Sequence, residues 1–300
     1  MTSPAVTAPK PRMAAIGTFD GVHTGHRAML ADLARVSAEA GFSPVAVTFS
    51  RHPLEIIAPQ RAPRLLMPAD SRIGALRQAA GDVIVLDFDE KMRALTAQQF
   101  MTMLRDDYNV GAVYMGFNHH FGSDRLNDFA DYQAAAAPLG IRLFKGTEAQ
   151  ADGHKVSSSV IRSLVEKGEM EEAALCLGRR YALTGIVGPG RQLGRRLGFP
   201  TANITPLEPR QAIPASGVYA CFAVTPDGVR RHAVVNIGTR PTVAADGLTT
   251  IEAHIIGFTG DLYGQQLTLE FRRRLRPERR FDNPDALAGQ IARDIADARL

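Results

Sequence analysis

The apolar positions in the first half of the chain fall in short runs, and segments of helical spacing lie between them. Met13-Ala14-Ala15-Ile16 is the first run. After a glycine-rich stretch, Ala28, Met29, Leu30, Leu33 and Ala34 recur at intervals that put them on one helix face. Residues 44–49, 82–86, 111–116 and 141–144 are further runs of strand length, rich in β-branched and aromatic side chains. Thr96-Ala97-Gln98-Gln99 reads as a capping box that opens a helix with Phe100, Met103 and Leu104 inward. Strands alternating with helix-length segments predict an α/β domain with a doubly wound parallel sheet. Two short helices, residues 158–167 and 169–177, follow, and each is stopped by a glycine.

From about Tyr181 the texture changes to closely spaced strand candidates at 181–184, 218–222, 233–236, 251–256 and 267–271. Pro226-Asp227-Gly228 reads as a hairpin turn, and Gly and Pro punctuate the remainder. This pattern predicts an antiparallel barrel or sandwich. A last helix starts at Asn283-Pro284 and lines up Leu287, Ile291 and Ile295. The expected organisation is a tail over 1–12, an α/β domain over 13–182 and a β domain over 183–300.

Composition narrows the class. Forty-five per cent apolar and 22% charged residues are ordinary for a globular chain. The net charge of +4 lies wholly in the second part: residues 1–184 hold 20 basic and 20 acidic side chains, residues 185–300 hold 15 and 11. So small an excess suits anionic small molecules better than a nucleic-acid track. The run Arg272-Arg273-Arg274 with Arg276, Arg279 and Arg280 is the one dense basic stretch, read as a solvated face or a screen for phosphates. Cys176 and Cys221 are too few for a disulfide framework or a cysteine zinc site. No run of 18 apolar residues exists, and the first twelve residues lack the apolar core of a signal peptide. A cytoplasmic location is expected, with no membrane and no nucleic-acid partner; oligomeric state is not legible.

Two stretches carry chemistry. Residues 17–26, Gly-Thr-Phe-Asp-Gly-Val-His-Thr-Gly-His, join the first strand to the first helix, where open α/β sheets bind nucleotides. His23 and His26 share a face at the helix start, whose free N–H groups favour phosphate oxygens. Two imidazoles there could stabilise charge on a transferred phosphoryl group; the plain alternative is that they cap the loop. In the β part, Pro200-Thr201-Ala202-Asn203 projects a hydroxyl and an amide to one side of an extended segment. That pair suits a hard cation and phosphate oxygens, or it satisfies a turn. Glu252 interrupts an apolar strand pattern, where a carboxylate is often paired or functional. His254, two positions on, reads as a neighbour in the strand.

The first stretch resembles the HxGH signature of the nucleotidyltransferase superfamily. Its longer form is similar to that of bacterial bifunctional riboflavin kinase/FMN adenylyltransferases. Residues 185–203, ending Gly-Phe-Pro-Thr-Ala-Asn, resemble the riboflavin kinase motif of that family. Gly217-Val218-Tyr219, Asn236-Ile237-Gly238-Thr239-Arg240-Pro241-Thr242, Ile251-Glu252-Ala253-His254-Ile255, Asp261-Leu262-Tyr263-Gly264 and residues 275–281 match it in order.

The resemblance implies a nucleotidyltransferase domain over 13–182 and an antiparallel β-barrel riboflavin kinase domain with a terminal helix over 183–300, converting riboflavin to FMN and then FMN to FAD, with ATP, riboflavin and FMN as substrates and Mg²⁺ at both sites. In the kinase it implies Glu252 as base and flavin contact, Thr201 and Asn203 on phosphates and metal, Gly190 and Gly194 on nucleotide, and Arg276 and Phe281 on flavin. In the adenylyltransferase it implies His23 and His26 as catalytic. Gly17, Phe19, Asp20, Gly21, Gly25, Ser157, Ser158, Ser159 and Arg162 join them on the nucleotide, and Phe49, Asn118 and Phe121 contact flavin. Four departures stand out: Ser159 where the family usually has Thr, Val156 where it usually has Ile, Arg51 where it usually has Pro, and Asn127 where it usually has Gly. Two alternatives remain: a nucleotidyltransferase acting on another small phosphate substrate, and a catalytically degenerate flavin or RNA sensor.

Overall fold

A computed structural model describes residues 10–116, 120–146, 156–190, 194, 197–240 and 248–300. The chain divides into two units, Met1–Pro63 with Ala69–Val156, and Arg64–Pro68 with Ser157–Leu300.

The first unit holds strands β1 (Arg12–Ile16), β2 (Ser43–Phe49), β3 (Val83–Leu86), β4 (Val110–Met115) and β5 (Arg142–Lys145). Its helices are α1 (Thr24–Ala40), α2 (Leu54–Ile57), α3 (Ala69–Ala80), α4 (Glu90–Ala94), α5 (Ala97–Tyr108) and α6 (Phe129–Ala136). All pairings are parallel, in the order β3-β2-β1-β4-β5. The order reverses between β1 and β4, and ligands of such sheets sit beyond the carboxyl ends of the strands at that crevice. Strands buried on both faces read as continuous apolar runs, which is why the sequence showed them. The Thr96–Gln99 capping box is present in both of its hydrogen bonds and opens α5. Phe100, Met101 and Leu104 of α5 pack with Val45, Val47 and Val113 of the sheet.

In the second unit, helices α7 (Ser158–Lys167) and α8 (Met170–Leu177) precede six strands. These are β6 (Ala182–Gly188), β7 (Ala202–Pro206), β8 (Gly217–Val224), β9 (Arg230–Arg240), β10 (Leu248–Ile255) and β11 (Gln266–Arg276). They close into an antiparallel barrel in the order β10-β7-β6-β11-β8-β9. Alternate residues, among them Leu183, Tyr219, Cys221, Val235, Ile251, Ala253 and Phe271, are buried. On the other face, Val218, Ala220 and Val234 pack with Ala298 and Ile295 of the terminal helix α9 (Pro284–Arg299). Burying that face lets a small barrel gain apolar area outside as well as inside. The expected 226–228 hairpin joins β8 to β9, with Gly228 at φ 76°.

Candidate active sites

The β1–α1 loop is strained at several residues. Phe19 and Val22 have φ of 50° and 38°, and Gly21 has 85°. Left-handed backbone at an aromatic and a β-branched residue persists only where the surroundings impose it, and such strain collects at functional sites. Gly17 supplies the bed for the Phe19 ring: a Cβ there would lie 3.0 Å from Phe19 Cζ. Phe19 in turn meets the His26 ring edge-on at 5.3 Å. His23 is the N-cap of α1, its Nδ1 accepting from the His26 backbone N–H at 3.3 Å. A neutral ring accepting at Nδ1 carries its proton on Nε2. The two imidazoles stack with centroids 3.6 Å apart. Gly25 lies beside the His23 ring, and the Val156 carbonyl oxygen is 3.8 Å from where a Gly25 Cβ would be. Burial first, and the neighbouring His23 second, push the His26 pKa well below the ordinary imidazole value. Its Nδ1 is buried with no hydrogen-bond partner among the described residues.

Beyond this loop lies a cavity of about 610 Å³, large enough for a drug-sized heterocycle. Gly17, Phe19, His26, Phe49, Phe121 and Arg125 are on its wall. The structure therefore brings the two described flavin candidates, Phe49 and Phe121, to the same cavity as His26. Asn118 lies outside the described residues. Phe88 stands edge-on to Phe49 at 5.3 Å, and Tyr132 flanks Phe121 at 4.7 Å. Asp20 is not on the wall but is buried. Its charge is balanced with that of Arg72 on α3, a buried guanidinium whose pKa burial lowers and whose charge Asp20 and Glu55 support. Arg72 also donates to the Phe49 carbonyl. Arg72 thus bonds the strand end that presents Phe49 while its charge is favoured by the loop's carboxylate. A lone arginine in a polar helical segment carries no sequence signal for that role.

Ser158, Ser159 and Arg162 lie in α7 of the second unit, with Ser157 just before it. Ser157 is the helix N-cap, accepting from Val160 N–H at 3.3 Å. Arg162 Nε donates to the Arg64 carbonyl at 2.5 Å.

In the barrel, strand register assembles the second site. Glu252 on β10 is the direct partner of Asn203 on β7 and of Asn236 on β9. Directly opposed residues in a ladder project to the same face, so the carboxylate stands between two amides. Thr201 Oγ1 donates to Glu252 Oε2 at 3.4 Å. His254 Nδ1 lies 2.9 Å from the Pro200 carbonyl oxygen and pins the segment that carries Thr201. Gly190 leaves room for the Asn203 side chain, since a Cβ at Gly190 would lie 1.9 Å from Asn203 Nδ2. Gly194 accepts from the N–H groups of Leu197 and Phe199, closing the turn before Pro200. Gly190, Thr201 and Asn203 border a cavity of about 590 Å³ with Val187, Ala253 and Tyr263. Asn236 received no individual role from sequence; only the β9–β10 register shows it beside Glu252.

Arg276 forms a largely buried, two-pronged ion pair with Asp294 of α9, at 2.8 and 3.1 Å. Phe281 lies under the Arg276 and Arg279 guanidiniums at 5.6 and 4.7 Å. Both residues are thus built into the clamp that holds α9 against the barrel.

Comparison with known proteins bears on both sites. The family model for FAD synthetase matches residues 6–160, and that for riboflavin kinase matches residues 177–300. Bifunctional riboflavin kinase/FMN adenylyltransferase from Pseudomonas fluorescens is 38% identical over 96% of this chain and 92% of its own length. The chain belongs to the bifunctional riboflavin kinase/FMN adenylyltransferase family. The Escherichia coli K12 member is 36% identical, over 95% of this chain and 90% of its own length. A solved structure described as a macrolide-efflux protein from Streptococcus pneumoniae has a TM-score of 0.86 at 26% identity, covering 98% of this chain and 96% of that one. In the family member described here, no helix among the described residues is long and apolar enough to cross a membrane. The departure at Arg51 falls on an exposed position, and Ser159 is likewise exposed at the start of α7.

Proposed function

We infer that the chain catalyses two successive ATP-dependent transfers, phosphorylation of riboflavin to FMN and adenylylation of FMN to FAD with release of pyrophosphate. The observation that carries this reading is the presence of both family matches, end to end, on a chain with two separately built cavities. We assign adenylyl transfer to residues 13–182 and phosphorylation to residues 183–300, working in the cytoplasm.

In the kinase, Glu252 accepts the proton of the flavin's terminal ribityl hydroxyl as that oxygen attacks the γ-phosphorus. Asn203 and Asn236 flank the carboxylate in the ladder, and Thr201 Oγ1 donates to its Oε2. Thr201 and Asn203 offer hard oxygen donors, and Gly190 leaves the cradle that Asn203 fills. These donors fit Mg²⁺, which keeps waters and phosphate oxygens in its shell and needs few protein ligands. When bound with ATP, the ion offsets the charge of the phosphates. Gly190 and Gly194 let backbone approach the nucleotide; Arg276 and Phe281, held in the α9 clamp, are assigned to the flavin on the family resemblance alone.

In the adenylyltransferase, chemistry is mainly positioning and charge stabilisation. His26 is neutral before substrate binds, because it is buried against a second imidazole. Triphosphate oxygens beside the pair favour its protonated form, so positive charge appears where the leaving pyrophosphate develops its own. His23 holds the loop by capping α1 and offers its Nε2–H. Gly17, Phe19, Asp20, Gly21 and Gly25 shape this loop; Ser157, Ser158, Ser159 and Arg162, at the start of α7, are assigned to phosphate oxygens. Phe49 and Phe121, with Asn118, contact the flavin ring.

Glu252→Gln tests the kinase assignment. Riboflavin phosphorylation is expected to fall on the order of 10²- to 10⁴-fold, while FAD formation from supplied FMN persists. Kinase turnover near the wild-type rate would remove Glu252 as the base.

A further inference from the structure

Among the described residues, four non-glycine positions have positive φ: Phe19, Val22, Asn109 and Arg125. The first two shape the histidine loop. Asn109 is the left-handed C-cap of α5, a place asparagine tolerates well. Arg125, at φ 48°, caps no helix, and arginine gains nothing from that backbone region. It stands on the wall of the 610 Å³ cavity of the first unit.

The loop that carries it is pinned from several sides. Ser123 N–H donates to the Leu95 carbonyl at 2.8 Å, and Ser123 Oγ donates to the Ala94 carbonyl at 2.9 Å. Asp124 Oδ1 accepts the Ala97 N–H at 2.9 Å, in the first turn of α5. Gly122 is in the left-handed region and sits so close to Ala97 that a Cβ would lie 2.5 Å from its backbone nitrogen. Beyond Arg125, the Leu126 carbonyl lies 3.3 Å from His120 Nδ1. The strain at Arg125 is therefore imposed by a rigid frame, and its result is an exposed guanidinium at the edge of a cavity walled by Phe49, Phe88, Phe100 and Phe121. Strain held in this way at a ligand cavity points to a role in binding. An aromatic-lined floor takes a flat heterocycle, and a guanidinium at the edge takes a phosphate. Arg93, the other arginine on that wall, is engaged with Glu90 at 3.1 Å.

We propose that Arg125 is the residue by which this cavity distinguishes a phosphorylated flavin from an unphosphorylated one, through a charge-assisted bond to the flavin's phosphate. The inference rests on the adenylyltransferase reading of the first unit. It explains how a chain that handles both riboflavin and FMN directs only the phosphorylated form to adenylylation: neutral riboflavin leaves the guanidinium without its anion.

The test compares wild type with R125A, R125K and R125G. Measured quantities are flavin binding by fluorescence quenching, KM for FMN and ATP, and thermal unfolding. R125A and R125G are expected to bind FMN about 10- to 100-fold more weakly, the range for a lost charge-assisted bond, with riboflavin binding unchanged. KM for FMN rises in step and kcat changes little. R125K recovers part of the FMN affinity. R125G unfolds at the same or a higher temperature, since glycine relieves the left-handed strain. Equal weakening of riboflavin and FMN overturns the proposal, and so does a rise confined to KM for ATP, which would make the nucleotide the anion recognised. A wild-type chain that forms no FAD from FMN would instead sink the activity reading.

Discussion

Gly190→Ala separates architecture from chemistry in the barrel. The added Cβ would lie 1.9 Å from Asn203 Nδ2, whereas ordinary contact begins at 3.4 Å, so the amide must retreat by about 1.5 Å. The obstructed atom is the tip of a flexible side chain, and turning it aside costs at most about 1.5 kcal/mol of stability, the price of an off-rotamer χ angle. Function is less forgiving. Misplacing a positioning group by about 1 Å costs roughly 100-fold, equivalent to about 2.7 kcal/mol of barrier. Asn203 is also the direct ladder partner of Glu252, so its displacement unsettles the base as well as the phosphate and metal donors. The assay is steady-state riboflavin phosphorylation beside FMN adenylylation on one preparation. The expected outcome is kinase kcat/KM down about 100-fold, adenylylation unchanged and a small shift in unfolding temperature. Kinase activity within threefold of wild type would refute the role given to Asn203.

Two further outcomes follow from the ionisable groups. Because His26 has a lower pKa folded than unfolded, the unfolded chain binds the extra proton as pH falls below about 6.5. Stability is therefore lost on going from pH 7.5 to 5.5, with His26 adding at most about 1.4 kcal/mol per pH unit; urea titrations of wild type should show a steeper loss than those of His26→Gln, and parallel slopes would contradict the burial argument. Asp294→Ala leaves the Arg276 guanidinium without its buried partner and should destabilise the barrel unit by about 3 kcal/mol, read by denaturant unfolding, whereas a change below about 0.5 kcal/mol, the scale of an ordinary surface substitution, would show that the pair does not hold α9.

The elements that announced themselves in the sequence were those with local causes. The apolar runs at 13–16, 44–49 and 111–116 became the central strands β1, β2 and β4, and the Thr96 box and glycine stops fell where backbone groups need partners. Strand β7 escaped because Ala202-Asn203-Ile204-Thr205-Pro206 offers one buried residue and ends in proline; pairing with β6 and β10 makes it a strand. From strand spacing alone the choice between barrel and sandwich was open, since closure depends on which strands pair across the chain; the family resemblance implied the barrel that the structure shows. The basic run also had a tertiary answer. Arg272 and Arg273 donate to the Ala298 and Asp297 carbonyls, Arg276 pairs with Asp294, and Arg279 bonds Gln290. Those arginines stitch α9 to the barrel and cap its negative end. Arg72 and Arg125 were invisible, and Asn236 stood in a motif without a role of its own, for the same reason: each acquires its role from backbone or side chains distant in sequence.

The most direct test follows products over time when the purified chain, wild type or His26→Ala, receives riboflavin, ATP and Mg²⁺, with flavins separated chromatographically. Wild type is expected to produce FMN first and FAD after it, and His26→Ala to accumulate FMN with FAD formation abolished. FAD at the wild-type rate from His26→Ala, or loss of FMN and FAD together, would contradict two independent transfer sites in one chain.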